Sequence, residues 1–299
     1  MVKIILDTDI CGDCDDVAAI SLLNYFHNAG QAEILAITDC VNASYGVGCI
    51  DGICTYYGNR AVDIGVYRDG CLEGEGSRYT QAIVEEFPAR GLTREGVPEA
   101  YKLMRKKLSE NRGVKIVTIG FLNNLAKLIE SPADEISPLS GRELIRQSVD
   151  EIVMMGGIVS GRDYYFEGNK MDTECNIVGD IAAAKKCFSA LDVPTTMIEF
   201  ELGLNVLSFG HVVARDVGSP IKTSFLLFGV DKRESWDPIT VMYAVLGTNG
   251  LYKYSEFGNV TVTDRGQTVF TKCKDGRVRY LIEQVSKRQV EDTLNQFDL

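Results

Sequence analysis

Five aspartates fall within ten residues, directly after the first apolar run of the chain, Val2 to Leu6. The apolar run predicts a buried β-strand, so these acids lie at its carboxyl end. Two unit charges about 4 Å apart repel by roughly 4 kcal/mol at an effective dielectric near 20. A helix that begins at Asp15 would offset only about 0.3–1 kcal/mol per charge. The cluster therefore predicts a hard divalent cation with oxygen ligands, either Ca²⁺ or Mg²⁺.

Short apolar runs alternate with longer helical patterns along most of the chain. The strands are predicted at 2–6, 33–37, 63–67, 114–119, 151–155 and 195–199, and the helices at 15–29, 46–57, 98–110, 122–130, 181–188 and 236–246. This alternation predicts an α/β fold with a mainly parallel central sheet and helices on both faces. No repeat or linker divides the 299 residues, so we expect a single domain over 1–299. A glycine-rich acidic stretch at 69–76 is expected to form a surface loop.

The charge of the chain restricts its partners. A formal net charge of −11, from 31 basic and 42 acidic residues, opposes binding to a phosphate backbone. We expect a small molecule as the partner, and neither nucleic acid nor a membrane, because no apolar run reaches eighteen residues. No signal-peptide pattern is present, and the nine cysteines show no regular spacing, which together favour reduced thiols in a cytoplasmic location.

Two motifs in the acidic segment suggest other chemistries. Cys11 and Cys14 form a C-x-x-C pair between strand and helix, but the flanking aspartates disfavour the thiolate that a redox site needs. An Asp-x-Asp pair after an apolar strand also suits a haloacid-dehalogenase-type phosphohydrolase, which would use Mg²⁺ with Asp7 as nucleophile and Asp9 as acid/base. That family places a Gly-Thr turn after the pair, and Ile10 begins a different sequence here.

Five segments of the chain together form an ordered set of motifs. They are Asp7-Thr8-Asp9 with Gly12 and Asp15-Asp16, then Ile119 to Leu125, Met154-Met155-Gly156-Gly157, Glu174-Cys175-Asn176, and Ser235-Trp236-Asp237-Pro238. In this order they resemble the inosine–uridine-type nucleoside hydrolases, in the branch that carries Ser-Trp-Asp-Pro. The first motif has two more residues before its paired aspartates than the commonest family version. The resemblance covers residues 3–246 and implies the family's α/β fold with Ca²⁺ at the strand ends.

The resemblance also implies a role for each matching residue. Asp9 would bind the metal and act as the catalytic base that activates a metal-bound water. Asp16, Asp237 and the backbone carbonyl of Asn123 would be the other protein ligands. The implied substrate-binding residues are Asp15, Asn42, Asn169, Glu174, Asn176 and Trp236. The implied activity is Ca²⁺-dependent hydrolysis of the N-glycosidic bond of a ribonucleoside or related N-riboside, by a homodimer or homotetramer.

The acidic composition of the segment suits this reaction. Cleavage of a ribosidic bond passes through a sugar cation that resembles an oxocarbenium ion. Carboxylates that hold the sugar hydroxyls stabilise a developing positive charge.

Trp236 occupies the position where many family members have the histidine that protonates the departing base. The chain has two histidines, His27 and His211, and the sequence predicts neither of them near the site. Trp236 would either stack on an aromatic base or pack beside the metal site, and the sequence leaves both interpretations open. The alternative to a hydrolase is therefore a non-catalytic homologue that binds a ribosyl group or another sugar.

Overall fold

The computed structural model describes residues 1–41, 43–69 and 78–299. Strands and helices alternate through the first half: β1 (Val2–Thr8), α1 (Asp15–Asn28), β2 (Ala32–Asp39), α2 (Gly46–Tyr56), β3 (Ile64–Val66), α3 (Arg78–Glu86), α4 (Ala100–Glu110), β4 (Val114–Thr118), α5 (Asn123–Glu130), α6 (Gly141–Ser148) and β5 (Val149–Met155).

The second half contains shorter elements and an antiparallel group of strands. Its elements are β6 (Tyr164–Phe166), β7 (Asn169–Met171), α7 (Cys175–Val178), α8 (Ile181–Ala190), β8 (Thr195–Ile198), α9 (Phe200–Gly203), β9 (Leu207–Ser208), α10 (Gly210–Val213), α11 (Pro220–Phe228), β10 (Arg233–Glu234), α12 (Trp236–Leu246), β11 (Tyr252–Tyr254), β12 (Gly258–Val262), β13 (Thr268–Lys272), β14 (Val278–Glu283) and α13 (Lys287–Leu294). No helix among the described residues is long and apolar enough to span a membrane.

A ten-stranded sheet connects the two halves. Its strand order is β13-β12-β14-β8-β5-β4-β1-β2-β3, and β11 pairs with β14. Neighbouring strands in the series β14, β8, β5, β4, β1, β2 and β3 pair in parallel. Strands β11, β12 and β13 form antiparallel pairs. Large apolar clusters pack against the sheet, one including α1, α2 and α12 and another including α4, α5, α6 and α8. The predicted mainly parallel α/β sheet with helices on both faces is confirmed.

Strand β1 lies in the middle of this sheet, between β2 and β4. Its residues Ile4, Ile5 and Leu6 are at most 1% exposed, because both faces of a central parallel strand are covered. The acidic segment after β1 therefore begins at the carboxyl edge of the buried sheet. This is the edge where open α/β sheets bind ligands.

Each strand and helix that the sequence predicts is present, with ends within two residues of the prediction. Several elements were not predicted from the sequence: the helices α3, α6, α7, α9, α10, α11 and α13, the short strands β6, β7, β9 and β10, and the antiparallel strands near the C-terminus. Helix α6 had a readable start, since Ser140 and Glu143 form a capping box. The expected loop at 69–76 lies outside the described residues except for Asp69.

Candidate metal centre and ligand cavity

Three carboxylates converge at the carboxyl edge of the sheet. Asp15 and Asp16 stand in the first turn of α1, and Asp237 stands in the first turn of α12. Each side chain offers one oxygen that lies within 4.8 Å of the other two, and the residues are 3%, 1% and 5% exposed. We call these residues the carboxylate triad. The two helices that carry it pack against each other and place distant parts of the chain at one point.

Hydrogen bonds fix the orientation of the triad. The Thr8 hydroxyl donates to Oδ1 of Asp16, which ties the end of β1 to α1. The backbone N–H of Asp237 donates to Oδ2 of Asp15 over 3.1 Å. The remaining triad oxygens are therefore held in place before any ion or ligand binds.

Burial raises the pKa of all three triad carboxyls well above the usual range, and repulsion from neighbouring acids adds to the rise. Among the described residues, Arg233 is the basic side chain that forms a salt bridge with this acidic segment. It pairs with Asp13 and with no member of the triad. Buried carboxylates without a cationic partner are costly. A hard cation with oxygen ligands would offset this cost, so the residues present fit Ca²⁺ or Mg²⁺.

Asp9 follows the end of β1 and lines the cavity described below. Burial raises its pKa to about 7, with further contributions from the charges of Glu174, Asp13 and Asp7. A carboxyl with a pKa near neutrality is suited to accept a proton.

Asp7 is fully buried inside the sheet. Its Oδ1 accepts hydrogen bonds from the Thr38 hydroxyl at 2.6 Å and the Asn124 amide at 2.9 Å. Asp7 does not line the cavity, and we infer that it supports the acidic segment from below. The side chains of Cys11 and Cys14 are buried, and burial raises the pKa of the Cys14 thiol, which disfavours thiolate chemistry.

A cavity of about 370 Å³ opens beside the triad. One part of its wall is the carboxylate triad, and another part is an aromatic cluster of Phe166, Phe200 and Trp236. Its lining comprises Asp9, Gly12, Asp13, Asp15, Asp16, Ile119, Phe121, Met155, Phe166, Met171, Glu174, Cys175, Asn176, Phe200, Arg233, Trp236 and Asp237. This division suits a ligand with a polyhydroxylated end and a flat apolar end.

Glu174 both lines the cavity and caps the short helix α7. Its carboxylate accepts hydrogen bonds from the backbone N–H groups of Asn176 at 2.8 Å, Gly157 at 2.9 Å and Ile177 at 3.3 Å. The side chain thereby joins the turn after β5 to the start of α7. The neighbouring Asn176 amide donates to the sulfur of Met155 at 3.0 Å and also lines the cavity.

Trp236 is packed firmly into the apolar wall. Its indole N–H donates to the Phe200 carbonyl at 2.7 Å, and the two rings stack with centroids 5.4 Å apart. Phe166 meets the indole edge-on at 6.1 Å, and a Cβ placed on Gly203 would lie 2.3 Å from its Cδ1. The residue is 7% exposed, so packing holds the ring and only a small part of it faces the cavity.

The other residues predicted for the site lie in different surroundings. Asn123 begins α5, and its buried amide donates to the Cys40 carbonyl at 2.8 Å, outside the cavity lining. Asn169 is exposed on β7 and contacts the Glu167 carbonyl, also outside the cavity lining. Asn42 lies outside the described residues. The structure thus brings together Asp9, Asp15, Asp16, Glu174, Asn176, Trp236 and Asp237 around one cavity.

Several residues of the cavity wall were not predicted from the sequence. Phe166 and Met171 come from the β6–β7 hairpin, whose turn has positive φ at Glu167 and Gly168. Arg233 stands three residues before Trp236, a proximity in sequence that could have drawn attention to it. His27 and His211 are not among the lining residues.

Comparison with known proteins places this arrangement among related folds. Residues 4–292 match the family model described as inosine-uridine preferring nucleoside hydrolase. No curated protein sequence matches significantly.

Three solved structures show the same fold over nearly the full chain. The purine-preferring ribonucleoside hydrolase from Gardnerella vaginalis is 20% identical with a TM-score of 0.73, and the alignment covers 98% of this chain and 97% of that one. The inosine-uridine preferring nucleoside hydrolase from Bacillus anthracis is 17% identical with a TM-score of 0.70, covering 98% of each. A plant nucleoside hydrolase is 19% identical with a TM-score of 0.68, covering 99% and 98%.

Proposed function

Because the chain belongs to the inosine-uridine preferring nucleoside hydrolase family and is thus an N-ribohydrolase, we propose that it cleaves ribonucleosides with Ca²⁺ as cofactor and Asp9 as catalytic base. The observation that carries this proposal is the carboxylate triad on the wall of a cavity that has an acidic side and an apolar side. The first side suits a metal and a sugar, and the second suits a base.

Asp9, Asp16, Asp237 and the Asn123 carbonyl are the proposed protein ligands of the ion. When bound, Ca²⁺ would offset the charge of the acids and make a water molecule more acidic. The buried position of Asp16 and Asp237, with no salt bridge among the described residues, supports this assignment. Oxygen-only ligands favour Ca²⁺ or Mg²⁺ over softer metals, and the resemblance to calcium-dependent relatives favours Ca²⁺.

Asp9 would accept a proton from the attacking water at its carboxylate. Burial raises the pKa of Asp9 in the metal-free protein, and bound calcium would lower this pKa towards the ionised form that accepts a proton. The water oxygen would then bond to the anomeric carbon while the base departs.

Asp15, Asn176 and Glu174 are proposed to bind the ribose hydroxyls. All three line the cavity next to Asp9, and Glu174 fixes the position of Asn176 through the α7 backbone. Asn42 and Asn169 remain predictions from the resemblance. Trp236 is held by its hydrogen bond to the Phe200 carbonyl and is proposed to form the wall of the cavity beside the nucleoside base.

A panel of purine and pyrimidine nucleosides tests the proposal. We expect ribose release with calcium, none after chelation, and none from the Asp9→Ala variant. Binding of a ribose mimic without turnover would instead support the non-catalytic sugar-binding alternative. Phosphate release from phosphate esters with Mg²⁺, lost on Asp7→Asn, would support the phosphohydrolase alternative.

We also propose a homodimer or homotetramer in the cytoplasm, as the family resemblance implies. Light scattering coupled to size-exclusion chromatography would detect the assembly, and a monomer at micromolar concentration would contradict it.

A further inference from the structure

Arg233 contributes a positive charge to the wall of the cavity. It stands in β10, three residues before Trp236, and its side chain is 16% exposed. The guanidinium carbon lies 5.3 Å from the centroids of both the Trp236 and the Phe228 rings. These aromatic contacts hold the cation against the apolar side of the cavity, where the proposed base would lie.

Some N–H groups of the Arg233 guanidinium have no acceptor among the described residues. Nε and Nη2 donate to the Asp13 carboxylate at 2.9 and 2.5 Å, and Nη1 donates to Glu234 at 2.8 Å. These bonds use three of its five N–H groups, which leaves one hydrogen on each Nη without a partner among the described residues. The Asp13 carboxylate accepts from Arg233 and from the backbone N–H of Cys14 at 2.6 Å, so its own acceptor capacity is largely filled.

We propose that Arg233 is a specificity-determining residue that contacts the departing base and selects 6-oxopurine ribosides such as inosine and guanosine. The proposal rests on the proposed function. A 6-oxopurine presents two acceptors, O6 and N7, on one edge, and the arginine fork matches this pair. Adenine presents one acceptor and one donor there, so its amino group would face a donor that it cannot satisfy.

The same contact would assist departure of the base. In the reaction the C1′–N9 bond breaks and its electron pair passes to the base. The water oxygen bonds to C1′, the water proton passes to Asp9, and the released base takes a proton from solvent. Arg233 keeps its proton throughout, because a guanidinium does not ionise in this range. Its two remaining N–H groups donate to the purine edge where negative charge develops, at a site where the described lining has no histidine.

The test compares kcat/KM for inosine, adenosine and uridine in the wild type, Arg233→Met and Arg233→Lys. We expect the wild type to favour inosine over adenosine by roughly 5- to 150-fold, the range for a paired arginine–purine contact. Arg233→Met should bring this ratio close to one. Arg233→Lys keeps the positive charge but loses the paired N–H donors of the guanidinium, so its inosine-to-adenosine ratio should be intermediate. This variant also provides the test if Arg233→Met does not fold.

A matched control is Arg142→Met, since Arg142 on α6 pairs with Asp192 through Nε at 2.5 Å and Nη2 at 2.9 Å, away from the cavity. Its ratio should equal that of the wild type. A merely structural role for Arg233 would lower kcat/KM for all substrates and leave the ratio unchanged, which overturns the proposal, as does a wild-type preference for adenosine or uridine.

Binding of the free bases separates this proposal from the proposed function. Calorimetry should show tighter binding of hypoxanthine than of adenine, with the difference lost in Arg233→Met. If the protein hydrolyses no nucleoside but shows this binding difference, the proposed function fails and the base contact stands. If it hydrolyses nucleosides with no binding difference, the assignment of Arg233 fails alone.

Discussion

Oδ2 of Asp15 accepts a hydrogen bond from the backbone N–H of Asp237 over 3.1 Å, across 222 residues of sequence. This bond joins the first turn of α1 to the first turn of α12. Both helix N-termini, with their partial positive charge, therefore point towards the same group of acids. Two helix ends moderate the repulsion within the triad, and a bound cation would remove most of the remainder.

Replacing Asp237 or Asp16 with asparagine should abolish calcium binding and hydrolysis together. Each change preserves shape but removes a charge that we assign to the ion. Because metal assistance is worth several kcal/mol in such reactions, kcat/KM should fall by about a thousandfold or more. Isothermal titration with Ca²⁺ and ribose release measure the two effects.

Asp292→Asn on α13 is the control, because Asp292 is exposed and pairs with Arg288. It should bind calcium and hydrolyse nucleosides like the wild type. Asp16→Asn and Asp237→Asn variants that still bind calcium with unchanged affinity would contradict the assignment.

The metal-free protein should lose stability as pH rises from about 4 to about 7. Burial raises the pKa of Asp7 and Asp9 from 3.8 to about 7, so the folded state holds protons that the unfolded chain releases in this window. Stability falls with rising pH wherever the folded state binds more protons. Calcium binds the folded state and should offset this loss.

The measurement is the shift in Tm that millimolar calcium produces, relative to chelator, at several pH values. This difference should be small near pH 5 and should grow towards pH 8. A shift of equal size at all pH values would contradict the account, because it would show that the ion does not neutralise Asp9.

Alanine at Gly203 should disturb the base side of the cavity. Its Cβ would lie 2.3 Å from Cδ1 of Trp236, so the indole must move away from Phe200. Overpacking of this kind costs about 1–3 kcal/mol in the free energy of unfolding, and KM should rise with it. The control is Gly218→Ala, where a Cβ meets nothing within 4 Å. Equal denaturation midpoints and KM values in the two variants would disprove this coupling.

Glu174→Ala should weaken both the fold and sugar binding. Three backbone N–H groups, those of Gly157, Asn176 and Ile177, lose their acceptor, which costs about 1–3 kcal/mol in stability. KM should rise because α7 carries Asn176. The matched control is Asp180→Ala, which removes the cap of α8 and should lower stability without changing KM. Similar KM values in both variants would mean that Glu174 acts only as a cap.

The sequence predicted the sheet and one end of the site because these depend on local patterns. The apolar run before Asp7 predicts a buried strand, so the aspartates after it are expected at the carboxyl edge of the sheet. The structure places Asp9, Asp15 and Asp16 at this edge. Asp237 joined them in the prediction only through the family resemblance of the Ser235-Trp236-Asp237-Pro238 segment. The helix after this segment was readable, because helix starts have sequence signals, but the approach of Asp237 to Asp15 and Asp16 was not.

The apolar wall could not be predicted in the same way. Phe166 and Met171 reach the cavity from a short hairpin, and Arg233 reaches it from a two-residue strand, so no periodic pattern marks them. Glu174 was expected only to bind the sugar. Its bonds to the backbone of Asn176 and Ile177 are a local helix cap, whereas its bond to Gly157 joins a turn 17 residues away. These roles depend on tertiary packing.

The central claim is that one Ca²⁺, held by Asp9, Asp16, Asp237 and the Asn123 carbonyl, is required for ribose release. The most direct test is to titrate calcium into chelator-treated protein while recording bound ion and nucleoside hydrolysis in the same samples. Our account predicts that activity rises in proportion to occupancy and saturates at one ion per chain, with neither signal in Asp16→Asn. Full ribose release by the metal-free protein, or calcium binding that leaves hydrolysis unchanged, would contradict it.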